Sequence, residues 1–383
     1  MSKASVVLGS YMFRYPLGGM LSWVLQYLTG LKSLGYDVYF VEKSGYENAC
    51  YDPSIEVMSN DCSYGLRVVS ELLKKYGLAE KWCFVDFDGN YYGLSKLKVR
   101  EVFKNAAIFI DMGTHGAWLE EASRSSKTLF LDGEPGFTQI KMANKIENGE
   151  QLDKYDFYYT VGCNIGKEGN PTPSLGLNWR HVFHPVDLNI YHKTPYVHNK
   201  RFTTVMNWKS HKPINYKGEI FGQKDREFQK IIRLPTISQT KFELALSGKD
   251  IPRKLLEENG WKISSGKSIT MNVNTFMAFI ASSSGEFSVC KEVFVKNQTG
   301  WFSDKSAAYL AMGKPVILQD TGFSESLPVG EGLFKFTDLD SAKDSVEAVS
   351  LGYTTHSDAA YEIAREYLAA DKVLHKMMSE IGL

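Results

Sequence analysis

Short apolar runs that end on polar or glycine residues alternate with helical patterns along most of the 383-residue chain. Residues 4–9 and 37–42 are two such runs, and the helical pattern between them begins after Gly18 and Gly19. A strand, a glycine loop, a helix and a second strand in this order form a βαβ unit. Because the order repeats, the sequence predicts an α/β fold with parallel, doubly wound sheets whose strands end along a crevice.

Two prolines and a polar stretch divide the chain near its middle. Pro185, Pro195 and residues 196–201 have the composition of a linker, and the alternation resumes at residue 202. The length is sufficient for two domains that each have their own core. We therefore predict Rossmann-like domains at residues 1–195 and 200–355, followed by a C-terminal helical segment at residues 356–383.

The composition excludes several classes of protein and partner. Hydrophobic residues make up 43% of the chain, and 44 Lys and Arg residues balance 44 Asp and Glu residues. This balance gives no overall basic field for nucleic acid or for an anionic membrane, so the charge balance disfavours both partners. The five cysteines are scattered, no apolar run has the length of a membrane span, and a strand begins almost at the N-terminus. We expect a soluble, cytoplasmic protein without a signal peptide.

Residues 300–322 hold the most informative stretch of the second half. A polar loop precedes a helical pattern over about residues 303–312, and Gly313 and a short apolar run follow. Ser303 or Asp304 is a good N-cap for that helix, and a helix N-terminus favours an anion such as a phosphate. An ordinary loop–helix–strand unit without a ligand is the alternative.

Further candidate phosphate-binding residues lie at the predicted strand ends. Gly18 and Gly19 would let a phosphate or sugar approach the backbone, although a plain turn explains a glycine pair equally well. Lysines recur at the same edge in the second half, where each alone is more often a solvated surface residue. Together they would surround a diphosphate. The remaining candidates of this phosphate site are Lys209, Lys249, Lys291, Lys305 and Ser306.

Acidic and imidazole side chains at strand ends of the first half are candidates for acid–base chemistry. Asp111 ends an apolar run, His115 lies in the loop behind it, and Glu134 follows the next run. Each has a structural alternative, namely a helix cap for Asp111, a hydrogen-bonded loop histidine for His115 and turn chemistry for Glu134. Asp86 and Asp88 would point to opposite faces of a strand, so we assign no metal.

Two segments resemble motifs of the GT-B-type glycosyltransferases. Residues 16–19, the helix after them and residues 34–38 resemble the glycine loop of that family and its following strand. Residues 308–317 resemble the family signature E-A-x-A-x-G-x-P-V and are the more specific match. The resemblance implies two Rossmann-like domains that face each other across a cleft, with a C-terminal helix that returns to the first domain.

The match departs from the family at two positions. The family has glutamates where this chain has Ala308 and Gly300, and in many members these carboxylates contact the ribose and sugar of the donor. We infer from local position that Asp304 or Glu286 takes over this role. Residues 283–288, which include Glu286, have the composition of a polar loop.

The resemblance implies a hexosyltransferase-like enzyme that moves a sugar from a nucleotide-diphosphate donor, such as a UDP-sugar, to an acceptor hydroxyl. The second domain would hold the donor, the first domain the unknown acceptor, and no metal or other cofactor would be needed. If the reaction inverts the anomeric centre, Asp111 or His115 would deprotonate the acceptor. A nucleotide-sugar epimerase, a non-catalytic nucleotide- or glycan-binding protein and a transferase acting on modified DNA are the alternatives, the last disfavoured by the charge balance.

Overall fold

The first half of the chain forms one large sheet in the computed structural model, which describes residues 4–122, 126–197, 199–210 and 212–383. The strands of this half are β1 (Ser5–Gly9), β2 (Asp37–Lys43), β3 (Cys50–Asp52), β4 (Val57–Ser59), β5 (Trp82–Val85), β6 (Tyr91–Gly93), β7 (Ala106–Asp111), β8 (Lys127–Asp132), β9 (Phe157–Thr160) and β10 (Trp179–His181). Within the described residues the sheet has the order β10-β9-β8-β7-β1-β2-β5-β6, and β3 pairs with β4 apart from it. The neighbours in the sheet run parallel, except that β5 and β6 pair antiparallel.

The helices of this half cover the sheet with apolar faces. They are α1 (Gly18–Ser33), α2 (Ser63–Lys75), α3 (Lys96–Asn105), α4 (Leu119–Ala122) and α5 (Phe137–Glu147). In α1 the residues Leu21, Val24, Leu25 and Leu28 are buried, as their helical spacing predicts. The glycine pair is the first turn of this helix, so its N-terminus lies at the carboxyl end of β1.

The second half repeats the architecture on a parallel sheet. Its strands are β11 (Arg201–Asn207), β12 (Ile214–Tyr216), β13 (Glu219–Phe221), β14 (Lys241–Ser247), β15 (Lys262–Ser265), β16 (Gly285–Ser288), β17 (Val316–Gln319) and β18 (Leu333–Phe336). Six of the described strands form a sheet in the order β15-β14-β11-β16-β17-β18, while β12 and β13 form a separate hairpin. Both halves therefore have parallel strands whose carboxyl ends share an edge.

Short helices surround this second sheet. They are α6 (Lys224–Phe228), α7 (Leu234–Ile237), α8 (Arg253–Glu258), α9 (Gly266–Ile269), α10 (Val273–Ala281), α11 (Glu292–Lys296), α12 (Asp304–Ala311) and α13 (Leu339–Leu351), with 3-10 turns at Gln229–Ile231 and Phe323–Glu325. The helix and strand predicted within residues 300–322 are present as α12 and β17. Gly313, with φ of 68°, ends the helix between them.

The C-terminal segment begins on the second domain, and its last helix returns to the first domain. It consists of α14 (Tyr353–Ile363), a π-helical turn at Ala364–Leu368 and α15 (Ala370–Glu380), so the predicted helix is interrupted. The backbones of Val186 and Ala369 form an isolated parallel β-bridge. The chain passes from the first domain to the second near Val186 and returns to the first near Ala369. Leu374 of α15 packs against α1 at Gly30, where a side chain would collide with it. The predicted architecture of two Rossmann-like domains with a returning C-terminal helix is confirmed.

The five cysteines are buried free thiols. Among the described residues, none of the helices combines the length and the apolar character that crossing a bilayer requires. The predicted cytoplasmic location stays a prediction.

Candidate functional site

A cavity of about 640 Å³ lies between the two domains, where the carboxyl ends of both sheets face each other. The first domain contributes residues after β1, β7 and β8, and the second contributes residues at the ends of β11, β14 and β16. Representative lining residues are Tyr11, Gly19, His115, Glu134, Asn207, Ser247, Lys291, Ser303 and Asp304. A crevice at the carboxyl ends of parallel strands is where α/β folds bind ligands.

The first turn of α12 forms part of the cavity wall. The Ser303 hydroxyl caps this helix by accepting a hydrogen bond of 3.2 Å from the backbone N–H of Lys305. Ser303 and Asp304 both line the cavity. The N-cap predicted from the sequence therefore presents the positive end of a helix dipole to the cavity.

The Lys305 side chain is directed from α12 into the sheet below. Its ammonium group donates hydrogen bonds of 2.7 Å to the hydroxyls of Thr204 and Ser288, and it forms an ion pair with Glu286. Glu286 is fully buried on β16, so the predicted polar loop is wrong for residues 285–288. Its carboxylate does not line the cavity, whereas Lys305 does. Because Glu286, Thr204 and Ser288 already bind the Lys305 ammonium group, the pair holds α12 on the sheet, and a phosphate contact of Lys305 stays a prediction.

Ser306 is directed away from the cavity. Its side chain is fully buried, and its hydroxyl has no hydrogen-bond partner among the described residues. It does not line the cavity, which speaks against the predicted phosphate contact through its hydroxyl.

An ion pair joins the two domains across the cavity. The Lys291 ammonium group lies 2.5 Å from the Glu134 carboxylate, and both side chains line the cavity. The Lys291 side chain is 6% exposed, whereas that of Glu134 is 44% exposed. The buried Lys291 side chain is therefore fixed in place, whereas an incoming anion can displace the more exposed Glu134 carboxylate from it.

Lys224 is the lysine that the sequence analysis missed. It begins α6, is half-buried and lines the cavity. Among the described residues, its ammonium group has no hydrogen-bond or ion-pair partner. Burial lowers the pKa of Lys224 to about 8, and the neighbouring charges of Lys305 and Lys291 add to the effect. The available signal was a lysine in the first turn of the first helix of the second domain.

Two of the predicted lysines lie outside the cavity. Lys209 pairs with Asp250 at 3.2 Å and with Asp225 at 3.8 Å, and Lys249 is exposed. Neither lines the cavity. Both lysines follow the carboxyl end of a strand in the sequence, but the turn after each strand places their side chains on the outer surface.

The two glycines of the pair have different positions: Gly18 lies in the contact between the domains, and Gly19 lies at the cavity. Gly18 donates a hydrogen bond of 2.6 Å from its N–H to the Thr270 carbonyl, and a side chain on Gly18 would collide with the backbone of Asn272. Gly18 therefore allows the two domains to meet closely. Gly19 lines the cavity, and its predicted contact with a phosphate stays a prediction.

The two predicted catalytic residues, at the end of β7 and in the loop after it, have different surroundings. The Asp111 carboxylate is fully buried and accepts hydrogen bonds from the N–H groups of Thr114 and Gly116 and from the Tyr155 hydroxyl. It does not line the cavity, so the structure favours the capping alternative over a general base. His115 does line the cavity, at a strained φ of 51°, and burial lowers its pKa.

No group of three or more His, Cys, Asp and Glu side chains suited to a metal ion occurs in the described ranges. The prediction that no metal is needed stays a prediction.

No protein-family model matches the sequence, and no curated protein matches it. Solved structures match over nearly the whole chain. An alpha-glucosyltransferase in complex with UDP and a mismatched 13-mer DNA has a TM-score of 0.59 at 9% identity, over 100% of both chains. Anabaena HepE in complex with UDP-glucose has 0.58 at 12% identity, over 98% of this chain and 99% of HepE. Sucrose-phosphate synthase from Thermosynechococcus elongatus has 0.53 at 11%, over 99% and 98%.

These neighbours confirm the predicted GT-B fold, and at such low identity the likeness concerns the fold alone. The DNA belongs to the alpha-glucosyltransferase complex. The prediction that nucleic acid is not a partner of this chain stays a prediction.

Proposed function

We propose that the protein transfers a sugar from a nucleotide-diphosphate sugar to an acceptor hydroxyl. The observation that carries this proposal is Lys224, a half-buried and unpartnered ammonium group, among the described residues, that faces the same cavity as the α12 N-terminus. A buried cation without a counterion is costly, and an anionic ligand removes that cost. The fold neighbours solved with UDP or UDP-glucose support a nucleotide diphosphate as this anion.

The diphosphate would lie against the second domain. Lys224, Lys291 and the first turn of α12 supply positive charge that requires no metal ion. When the bond from the sugar to the diphosphate breaks, the electron pair stays on the phosphate oxygen. Preorganised cations and a helix N-terminus stabilise the charge that develops there.

Asp304 is the better of the two residues considered as replacements for the missing glutamates. It lines the cavity at the start of α12, whereas the Glu286 carboxylate is paired with Lys305 below the wall. A carboxylate beside a diphosphate is repelled by it, but it accepts hydrogen bonds from sugar hydroxyls. We assign Asp304 to a hydroxyl of the transferred sugar.

His115 would serve as the base if the reaction inverts the anomeric centre. The acceptor hydroxyl would give its proton to the imidazole while its oxygen forms the new bond to the sugar. Because burial lowers the pKa of His115, the ring is neutral and able to accept that proton at neutral pH. With retention no such base is required, and His115 would only contact the acceptor side.

Isothermal titration calorimetry with UDP, UDP-glucose and other nucleotide sugars tests the proposal. We expect Lys224→Met to weaken UDP binding at least about tenfold, because a charge-assisted contact is lost. The matched control is Lys249→Met, which removes an exposed lysine outside the cavity. Failure of all nucleotides and nucleotide sugars to bind, or equal affinities in the two variants, would contradict the proposed site.

Product analysis separates transfer from the alternatives. Slow release of nucleotide diphosphate from a nucleotide sugar, accelerated by an acceptor, supports a transferase. Epimerised sugar without an acceptor would support the epimerase, and binding without turnover a non-catalytic protein.

A further inference from the structure

His184 is a buried histidine at the cavity that the proposed chemistry does not yet use. It lies in the segment after β10, just before the crossing between the domains, and it is 4% exposed. Its ring lines the cavity together with Trp23 and Asp304. No motif marked this position in the sequence.

Two residues of α1 hold the Nδ1 side of the ring. The Trp23 Nε1 atom lies 3.2 Å from His184 Nδ1, and the Tyr27 hydroxyl lies 3.3 Å from the same nitrogen. An indole N–H donates hydrogen bonds and cannot accept them. His184 Nδ1 is therefore the acceptor of the Trp23 bond and carries no proton.

This contact fixes the chemical state of the ring. A neutral imidazole whose Nδ1 accepts must carry its proton on Nε2, and Nε2 is then a donor. Burial lowers the pKa of His184, while the carboxylates of Asp304 and Glu134 oppose that effect. Because Nδ1 is directed at α1, the polar group that the ring can offer to the cavity is the Nε2–H.

The neighbouring Asp304 defines what such a donor would recognise. A sugar hydroxyl can accept one hydrogen bond and donate another at the same time. It can accept from the His184 Nε2–H while it donates to the Asp304 carboxylate. The lysines that would meet the diphosphate come from the second domain, whereas His184 belongs to the segment that leaves the first domain.

We propose that His184 is a specificity-determining residue, whose Nε2–H donates a hydrogen bond to a hydroxyl oxygen of the transferred sugar. This inference rests on the proposed function. It excludes His184 as the base of the reaction, since Nδ1 is occupied and Nε2 already holds a proton. It also implies that His184 contacts the sugar of the donor and not its nucleotide.

The test compares UDP and UDP-glucose binding by calorimetry in wild type, His184→Phe and His184→Gln. We expect His184→Phe to weaken UDP-glucose binding about tenfold or more, because one buried hydrogen bond is unmade. UDP affinity should change less than about twofold, which also shows that the variant is folded. His184→Gln should recover most of the loss, since its amide N–H can donate.

Nitrogen NMR of the wild-type histidine side chains gives a readout that does not depend on folding of a variant. We expect a neutral ring protonated at Nε2. A proton on Nδ1, a charged ring at neutral pH, or unchanged UDP-glucose affinity in His184→Phe would each overturn the inference while leaving the proposed function intact. If the wild type binds neither UDP nor any nucleotide sugar, the proposed function fails and the inference fails with it.

Discussion

The lowered pKa of Lys224 predicts that nucleotide binding depends on pH in a defined direction. With a pKa of about 8, the free protein holds this proton nearly completely at pH 7 and largely loses it by pH 9. A bound diphosphate restores the charged form, because an adjacent anion raises the pKa of an amine. Proton binding therefore favours the complex, so affinity is full below the free pKa and falls as the pH rises above it.

The size of the effect follows from the protonated fraction. About nine-tenths of the free protein carries the proton at pH 7 and about one-tenth at pH 9, which corresponds to a tenfold loss of affinity, or about 1.4 kcal/mol. At pH 9 the binding of each UDP molecule should also be accompanied by the uptake of about one proton. Calorimetry at the three pH values 7, 8 and 9, in buffers of different ionisation enthalpy, measures both quantities.

Lys224→Arg is the matched control for this prediction. A guanidinium group remains protonated throughout this range, so the variant should bind UDP with a flatter pH profile and without the additional proton uptake. Titration of UDP itself affects both proteins equally and cancels in the comparison. Equal slopes for wild type and Lys224→Arg would refute the assignment of the pH dependence to this ammonium group.

Three further perturbations test other parts of the site. Lys305→Met leaves the buried Glu286 carboxylate unpaired and should lower the free energy of unfolding by about 3–5 kcal/mol, and a change below about 1 kcal/mol in urea denaturation would contradict its structural role. Glu134→Gln frees Lys291 and should tighten UDP binding about threefold to fivefold in calorimetry, because a partly exposed ion pair contributes about 1 kcal/mol; unchanged affinity would show that the two anions do not compete. His115→Ala should lower turnover about a hundredfold with UDP affinity unchanged, if it is the base, and wild-type turnover would remove it from the mechanism.

The architecture and one wall of the cavity could be predicted from the sequence. Buried apolar runs that alternate with helical patterns specify parallel sheets, and the carboxyl ends of such strands must share an edge. The loop, helix and strand within residues 300–322 carry strong local signals, namely an N-cap at Ser303 and a terminating Gly313. These features depend on local conformation, which the nearby residues determine.

The direction of individual side chains could not be predicted in the same way. Lys305 and Lys209 both follow strand ends or helix starts, yet one is directed into the sheet and the other pairs at the surface. Glu286 lies in a sequence of small polar residues that suits a loop, and its strand is recognisable only once its partners β11 and β17 are known. Lys224 was missed because the β12–β13 hairpin separates it in sequence from the end of β11, although both line the same cavity.

The return of α15 to α1 has a consequence for synthesis of the chain. Leu374, Met377 and Met378 belong to the same apolar core as Val24 and Leu28, so the first domain is discontinuous and the second is inserted within it. Domains generally fold in the order in which the ribosome releases them. Here the first domain cannot complete its core until α15 has been released, whereas the inserted domain can fold earlier.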